Sequence, residues 1–122
     1  IDIDYFKEIN DTLGHNVGDR ILEQVSQVLQ HCVRDSDVVA RWGGEEFVIL
    51  CQQSLLPLVE SLCVRIAQRI NNYQFTDNVH LTCSFGVAKL AENEPIQLCF
   101  ERADRALYRA KAQGRNQMCI DT

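Results

Sequence analysis

The sequence predicts an α+β fold, a largely antiparallel sheet covered by helices, on three observations. Asp37–Ala40 and Phe47–Cys51 are short apolar runs on either side of Gly43-Gly44, the pattern of a β-hairpin. Three longer stretches, beginning near Ile21, Leu55 and Ile96, repeat apolar residues at helical spacing. Strand and helix patterns alternate with no linker, repeat or low-complexity segment between them, so one layered domain accounts for residues 1–122.

In chain order, Ile1-Asp2-Ile3-Asp4 alternates apolar and acidic residues with the period of a half-buried strand and sets Asp2 and Asp4 on one face. Tyr5–Leu13 suits a helical turn or two stopped at Gly14, with Lys7 and Asn10 three apart on one side. Gly14–Asp19 reads as a glycine-punctuated loop holding His15. Ile21, Leu22, Val25, Val28, Leu29, Cys32 and Val33 then mark an amphipathic helix with Asp19 near its start, and Arg34–Asp37 leads into the hairpin. Leu55, Val59, Leu62, Cys63, Ile66 and Ile70 form the inner stripe of a second long helix. Val79–Ala88 reads as a strand with Leu81, Cys83, Phe85 and Val87 on one face. A last helix carries Ile96, Cys99, Phe100, Ala103, Ala106, Leu107 and Ala110 inward, ends at Gly114 and is flanked there by Lys111 and Arg115; Gln117–Ile120 closes the sheet.

The hairpin tip, Arg41-Trp42-Gly43-Gly44-Glu45-Glu46-Phe47, is where the chemistry concentrates. A tight primed turn demands positive φ, and a loop without β-carbons lets a ligand approach the backbone. Adjacent carboxylates beside an apolar strand repel each other unless a cation joins them. Neighbouring strand residues point to opposite faces, so Glu45 and Glu46 divide their tasks, one as metal ligand and the other as proton or second-metal partner. Lys7, just after a strand end bearing two acids, stands where sites in sheet-based folds collect.

With 12 basic against 17 acidic residues, the net charge of −5 argues against a sequence-blind nucleic-acid partner. An acidic domain that takes a polyphosphate needs a divalent metal to bridge like charges. Cys32, Cys51, Cys63, Cys83, Cys99 and Cys119 stand singly, with neither disulfide nor zinc spacing, which together with their apolar neighbours implies reduced thiols and a cytoplasmic location. No signal-peptide pattern or membrane-length apolar run occurs in these residues, a pattern equally compatible with a membrane-anchored full-length protein.

These residues resemble the GGDEF domains of bacterial diguanylate cyclases. Gly43-Gly44-Glu45-Glu46-Phe47 is the GGEEF variant of their signature, and Ile1–Asp11, Gly14–Asp19 and Ala106–Asn116 are similar to the other family motifs in the same order. The resemblance covers nearly the whole of residues 1–122, and on it these residues lack the first helix and most of the first strand with which family members usually begin. It implies a palm or nucleotidyl-cyclase-like fold and the condensation of two GTP into cyclic di-GMP with loss of two pyrophosphates. It further implies that Asp2, Glu45 and the Ile3 carbonyl hold Mg²⁺ (or Mn²⁺), and that Glu46 deprotonates or orients the attacking hydroxyl, with either glutamate open as the base. Lys7 would offset phosphate charge, Asn10 and Asp19 would read guanine, His15 would lie in the substrate-binding loop, and Lys111 and Arg115 would hold the terminal phosphates. Each domain takes one GTP, so the active form would be a homodimer, commonly driven by an upstream sensory or receiver domain.

Arg34-x-x-Asp37, separated from Gly43 by Val38–Trp42, stands where the family carries an inhibitory product site, with Arg65 as a further candidate contact. Its ordinary alternative is that Arg34 caps a helix and Asp37 opens a strand. Two other readings stand beside the enzyme. A catalytically silent module binding GTP or cyclic di-GMP would show a damaged signature, whereas Gly43–Phe47, Asp2 and Lys7 are intact here. An adenylyl-cyclase-like nucleotidyl transferase would not need Asn10 and Asp19 as guanine readers.

Overall fold

The computed structural model describes residues 1–121. Its elements run β1 (Asp2–Ile3), α1 (Phe6–Leu13), α2 (His15–Cys32), β2 (Val38–Gly43), β3 (Glu46–Leu50), α3 (Leu56–Asn72), β4 (Cys83–Ala88), α4 (Ile96–Ala112) and β5 (Met118–Asp121), with a 3-10 turn at Thr76–Asn78. The strands form one sheet in the order β2-β3-β1-β4-β5. Every pairing is antiparallel except β4 with β5, which run parallel. A parallel pair cannot be joined by a hairpin, and α4 supplies the crossover, packing against both strands it connects.

The predicted stripes form the core. Ile21, Val25 and Leu29 of α2 and Ile66 and Ile70 of α3 are fully buried with Ile3, Phe47, Cys83 and Phe85 of the sheet. Burial of such a side chain stabilises by roughly 1.5–3 kcal/mol, which is why these short strands hold their register. Leu55 and Ile96 depart from expectation and are exposed. β1 covers only Asp2 and Ile3, so among the described residues the far halves of β3 and β4 have no strand between them. They flank an apolar cavity of about 760 Å³, open to solvent and bordered by α3 and α4, with Leu55 and Ile96 in its wall. Trp42 at the end of β2 stacks on Phe100 of α4 across the same cavity, with ring centroids 4.8 Å apart.

Two boundaries differ from the sequence reading. Residues 15–19 are helical, and only Gly14, at φ +91°, stands outside the helices. Gly18 is an interior residue of α2. A Cβ there would lie 1.8 Å from Asn10 Oδ1 and 3.2 Å from Phe6 Cζ, so this glycine lets α1 and α2 touch. β4 begins at Cys83 rather than Val79, although the Thr82 carbonyl still accepts from the Asp4 N–H at 2.9 Å in the β1–β4 register and its hydroxyl donates to the Asp4 carboxylate. α4 runs to Ala112, and Gly114 stands just past its end as the terminating glycine the sequence reading expected. The Arg115 N–H donates back to the Ala110 carbonyl at 2.9 Å while Gly114 takes φ +118°, a closure that satisfies the last carbonyls.

Candidate active site

The middle of the sheet delivers the first acid. Asp2 is 3% exposed and lies directly across the β1–β3 pairing from Glu46, so both carboxyls share a face. Burial pushes the Glu46 pKa up, and the charges of Asp2 and Asp104 push the same way, while Lys111 pulls it back. From the last turn of α4, Lys111 crosses to Asp2 and forms an ion pair with it. A cation at a helix C-terminus is favoured by the macrodipole in any case, but this one spends its charge on the central acid.

The hairpin turn sits one residue later than the sequence suggested. Gly43 is a strand residue paired with Glu46, and Gly44-Glu45 form the turn, with Gly44 alone of the two at positive φ (+39°). The Arg41 guanidinium braces it, donating from Nε and Nη2 to the Gly44 carbonyl at 3.1 and 2.8 Å. A Cβ at Gly43 or Gly44 would meet nothing within 4 Å. Gly43 has neither a positive φ nor a packing clash to explain it; it stands at the irregularity in the β2–β3 register, and its open side leaves room for close approach of a ligand.

Asp2, Ile3, Lys7, Glu45, Lys111 and Arg115 line one polar cavity of about 200 Å³, with Asp4 and Tyr5 in its wall. The Arg115 guanidinium is held over the Tyr5 ring at 4.8 Å. Glu46, the first residue of β3, lines the larger apolar cavity instead, while Glu45 in the turn lines the polar one, so the two glutamates border different spaces on either side of Asp2. Among the described residues no cluster of three or more His, Cys, Asp or Glu side chains could enclose a metal. Two carboxylates and a carbonyl beside a polar cavity nevertheless fit Mg²⁺, which keeps water and phosphate oxygens in its remaining positions.

Asn10, His15 and Asp19 stand outside this cavity, on α1 and α2. His15 and Asp19 are exposed, and Asp19 lies beyond the first turn of α2, which carries no acid. Asn10 Oδ1 is buried and accepts no hydrogen bond, the one such side-chain atom among the described residues. Buried acceptors are nearly always satisfied, so this one is open to a water or a ligand donor.

Arg34 and Asp37 form a closed unit on the opposite end of the β2–β3 hairpin. Arg34 Nη2 reaches Asp37 Oδ1 at 3.2 Å, the Gln52 carbonyl at 2.8 Å and Ser54 Oγ at 2.6 Å, and the Arg34 N–H donates to Asp37 Oδ2 at 3.0 Å. The Asp37 side chain is 3% exposed against 53% for Arg34. Burial pushes the Asp37 pKa up, but the Arg34 hydrogen bonds outweigh it and hold the carboxyl below its usual range. Helix α2 is capped not by Arg34 but by Arg65, which donates to the Cys32 carbonyl at 2.7 Å. All six cysteines are free thiols, and burial pushes that of Cys63 up to about 12.

Sequence reasoning gave no role to Asp4, Arg41 or Asp104. The signal for Asp4 was its place two residues after Asp2, but its partners come from the other end of the chain. Arg41 was readable only as part of the hairpin stretch.

The architecture, acids on a central strand with a hairpin beside them, is that of a palm-like α+β domain. Residues 1–117 match the family described as diguanylate cyclase, GGDEF domain, and the chain belongs to that family. It is 43% identical over 118 residues to diguanylate cyclase DgcM of Escherichia coli, covering 97% of this chain and 29% of that protein. The chain therefore spans less than a third of that relative. Among solved structures it is similar to the active GGEEF domain of a diguanylate cyclase from Vibrio cholerae (TM-score 0.92, 36% identity, 99% of this chain, 79% of the other). It is also similar to the GGDEF domain of DgcB from Caulobacter crescentus in complex with c-di-GMP (TM-score 0.93, 32% identity, 98% of this chain, 74% of the other).

Proposed function

We propose that this domain is the catalytic half-site of a Mg²⁺-dependent diguanylate cyclase. The observation that carries the reading is the single polar cavity in which Asp2, Glu45 and the backbone of Ile3 meet Lys7, Lys111 and Arg115. Acids alone would repel a triphosphate, and cations alone would not need a buried aspartate; the combination suits a metal-bound nucleotide. Asp2, Glu45 and the Ile3 carbonyl would hold Mg²⁺ or Mn²⁺, which supplies charge neutralisation on the phosphates when bound. Lys7 stabilises the charge developing at the α-phosphate, and Lys111 and Arg115 grip the outer phosphates.

Burial and the neighbouring acids raise the pKa of Glu46 above that of an ordinary glutamate, which makes it a better proton acceptor. In the proposed step the GTP 3′-hydroxyl gives its proton to Glu46, and its oxygen bonds to the α-phosphorus of the GTP on the facing domain. The bond from that phosphorus to the bridging oxygen breaks, and pyrophosphate leaves. The reciprocal step closes the ring, so two domains must face each other as a homodimer. Asp19 accepts from guanine N1 and N2 donors, Asn10 supplies the amide partner and His15 lies at the edge of the base site.

Product would inhibit through Arg34, the accessible member of its pair, with Asp37 orienting it. Incubating the full-length protein with Mg²⁺ and either GTP or ATP, then separating products, tests this assignment. Cyclic di-GMP from GTP and no cyclic dinucleotide from ATP is expected; equal turnover of the two would overturn the guanine assignment.

A further inference from the structure

Asp4 is a buried acid that the reading above leaves without a task. It is 4% exposed, and among the described residues no cation pairs with it. Three donors converge on its carboxyl instead. Thr82 Oγ1 donates to Oδ2 at 2.6 Å, Ser84 Oγ to Oδ1 at 2.6 Å, and the backbone N–H of Asn116 to Oδ2 at 3.0 Å. The hydroxyls come from the start of β4 and fix the carboxyl where it stands. The third donor belongs to the turn after α4, more than a hundred residues away in sequence.

That turn is unusual in its backbone. Arg115 and Asn116 are consecutive non-glycine residues at φ +63° and +49°, a region that side chains with a Cβ rarely occupy. A pair of such residues persists only where surrounding contacts fix them. The contacts here are the Arg115 N–H to Ala110, the Gln117 amide bridging the carbonyls of Gln113 and Arg115, and the Asp4 bond to Asn116. Two bonds tie the turn to the sheet: the Phe85 N–H of β4 donates to the Gln117 carbonyl at 2.9 Å at its far end, and the Asp4 bond holds Asn116, the residue next to Arg115. The effect of the Asp4 bond is to present Arg115 over Tyr5, the residue next to Asp4, at the rim of the polar cavity.

We propose that Asp4 is a positioning residue for nucleotide binding: by clasping the Asn116 amide it sets the Arg115 guanidinium where it meets the outer phosphates. The inference rests on the assignment of Arg115 to those phosphates. Asp4 touches no substrate atom in this account and holds no metal. Its contribution therefore appears in the affinity for a triphosphate and not in the affinity for a nucleotide that stops at the α-phosphate.

The test is calorimetric titration of the full-length protein in Mg²⁺ with a non-hydrolysable GTP analogue and with GMP, for Asp4→Ala, Asp4→Asn, Arg115→Ala and the double variant Asp4→Ala/Arg115→Ala. Asp4→Ala is expected to weaken the analogue roughly tenfold, as loss of a charged hydrogen bond does, and to leave GMP within about twofold. In the Arg115→Ala background Asp4→Ala should cost nothing further, the signature of action through that residue. Asp4→Asn preserves the shape of the site, since the Ser84 hydroxyl can turn to accept from its amide. It carries the same prediction at a smaller size, about threefold, if the alanine variant does not fold. Equal weakening of GMP and the analogue would overturn the proposal in favour of general structural support, as would a loss in the double variant equal to the two single losses combined. Changed Mn²⁺ binding without nucleotide would make Asp4 a metal ligand and overturn it too. If Arg115→Ala binds the analogue like the unmodified protein, the phosphate assignment of Arg115 itself fails, and the proposal with it.

Discussion

Substituting alanine at Gly86 and, separately, at Gly43 separates a glycine that the fold needs from one that the ligand needs. At Gly86, in the middle of β4, an added Cβ would lie 2.2 Å from the Ala103 carbonyl oxygen, 2.5 Å from the Leu107 nitrogen and 2.9 Å from Leu107 Cα. All three are backbone atoms of α4, so no side chain can swing aside. Real Cβ atoms do not approach closer than 3.0 Å, so the helix must retreat by at least 0.8 Å, the difference between 3.0 and 2.2. Overpacking of this kind costs about 1–3 kcal/mol, and a 122-residue chain loses about 4 °C of Tm for each. Gly86→Ala should therefore melt about 4–12 °C lower, and because α4 delivers Lys111 it should also bind GTP less tightly. Gly43 has open space where its Cβ would go and no positive φ. Gly43→Ala should keep its Tm within about 2 °C, the scale of a neutral surface change, and lose nucleotide affinity alone. Thermal denaturation followed by circular dichroism, paired with GTP titration, reads both. A Gly86→Ala variant melting with the unmodified protein, or a Gly43→Ala variant destabilised as much as Gly86→Ala, would refute the reasoning.

The Lys111–Asp2 ion pair makes Lys111 a competitor for the metal, so Lys111→Met should bind Mn²⁺ alone about three- to tenfold more tightly, by electron paramagnetic resonance titration, yet bind GTP more weakly. Glu46→Gln should lower turnover by about a hundredfold or more while retaining Mg-GTP binding, whereas Asp2→Asn should lose metal-dependent binding as well. If Glu46 is the proton acceptor proposed above, its raised pKa should move the acid limb of a rate-against-pH profile upward relative to an ordinary glutamate. The same shift has the opposite sign for stability: a carboxyl whose folded pKa is raised favours the fold at low pH, and that contribution is lost as pH rises through the folded pKa. Arg34→Ala should relieve inhibition by added cyclic di-GMP without lowering the initial rate, read from a titration of product.

How far the sequence reached depended on whether the cause was local. The apolar stripes of α2, α3 and α4 and the alternation around the hairpin are local signals, and they placed the core residues and the GGEEF tip. Gly18 misled because glycine usually marks a loop, whereas its cause is the approach of Asn10 and Phe6 from another helix. The hairpin turn shifted by one residue because register is settled by pairing, here Gly43 with Glu46, and not by the glycine pair itself. The parallel β4–β5 pairing was invisible for the same reason. Asp2, Lys7, Glu45, Lys111 and Arg115 were named from motifs and meet in one cavity. Asp4 was not, because its donors, Thr82, Ser84 and Asn116, lie 78 to 112 residues away.

The most direct measurement is the stoichiometry of turnover: the full-length protein with Mg²⁺ and GTP, following pyrophosphate and cyclic dinucleotide together over a range of protein concentrations. Two facing half-sites predict two pyrophosphates for each cyclic di-GMP, and a specific rate that rises with protein concentration until the dimer is saturated. GTP bound with no pyrophosphate released, at any protein concentration, would contradict the account and leave a nucleotide-binding module in place of an enzyme.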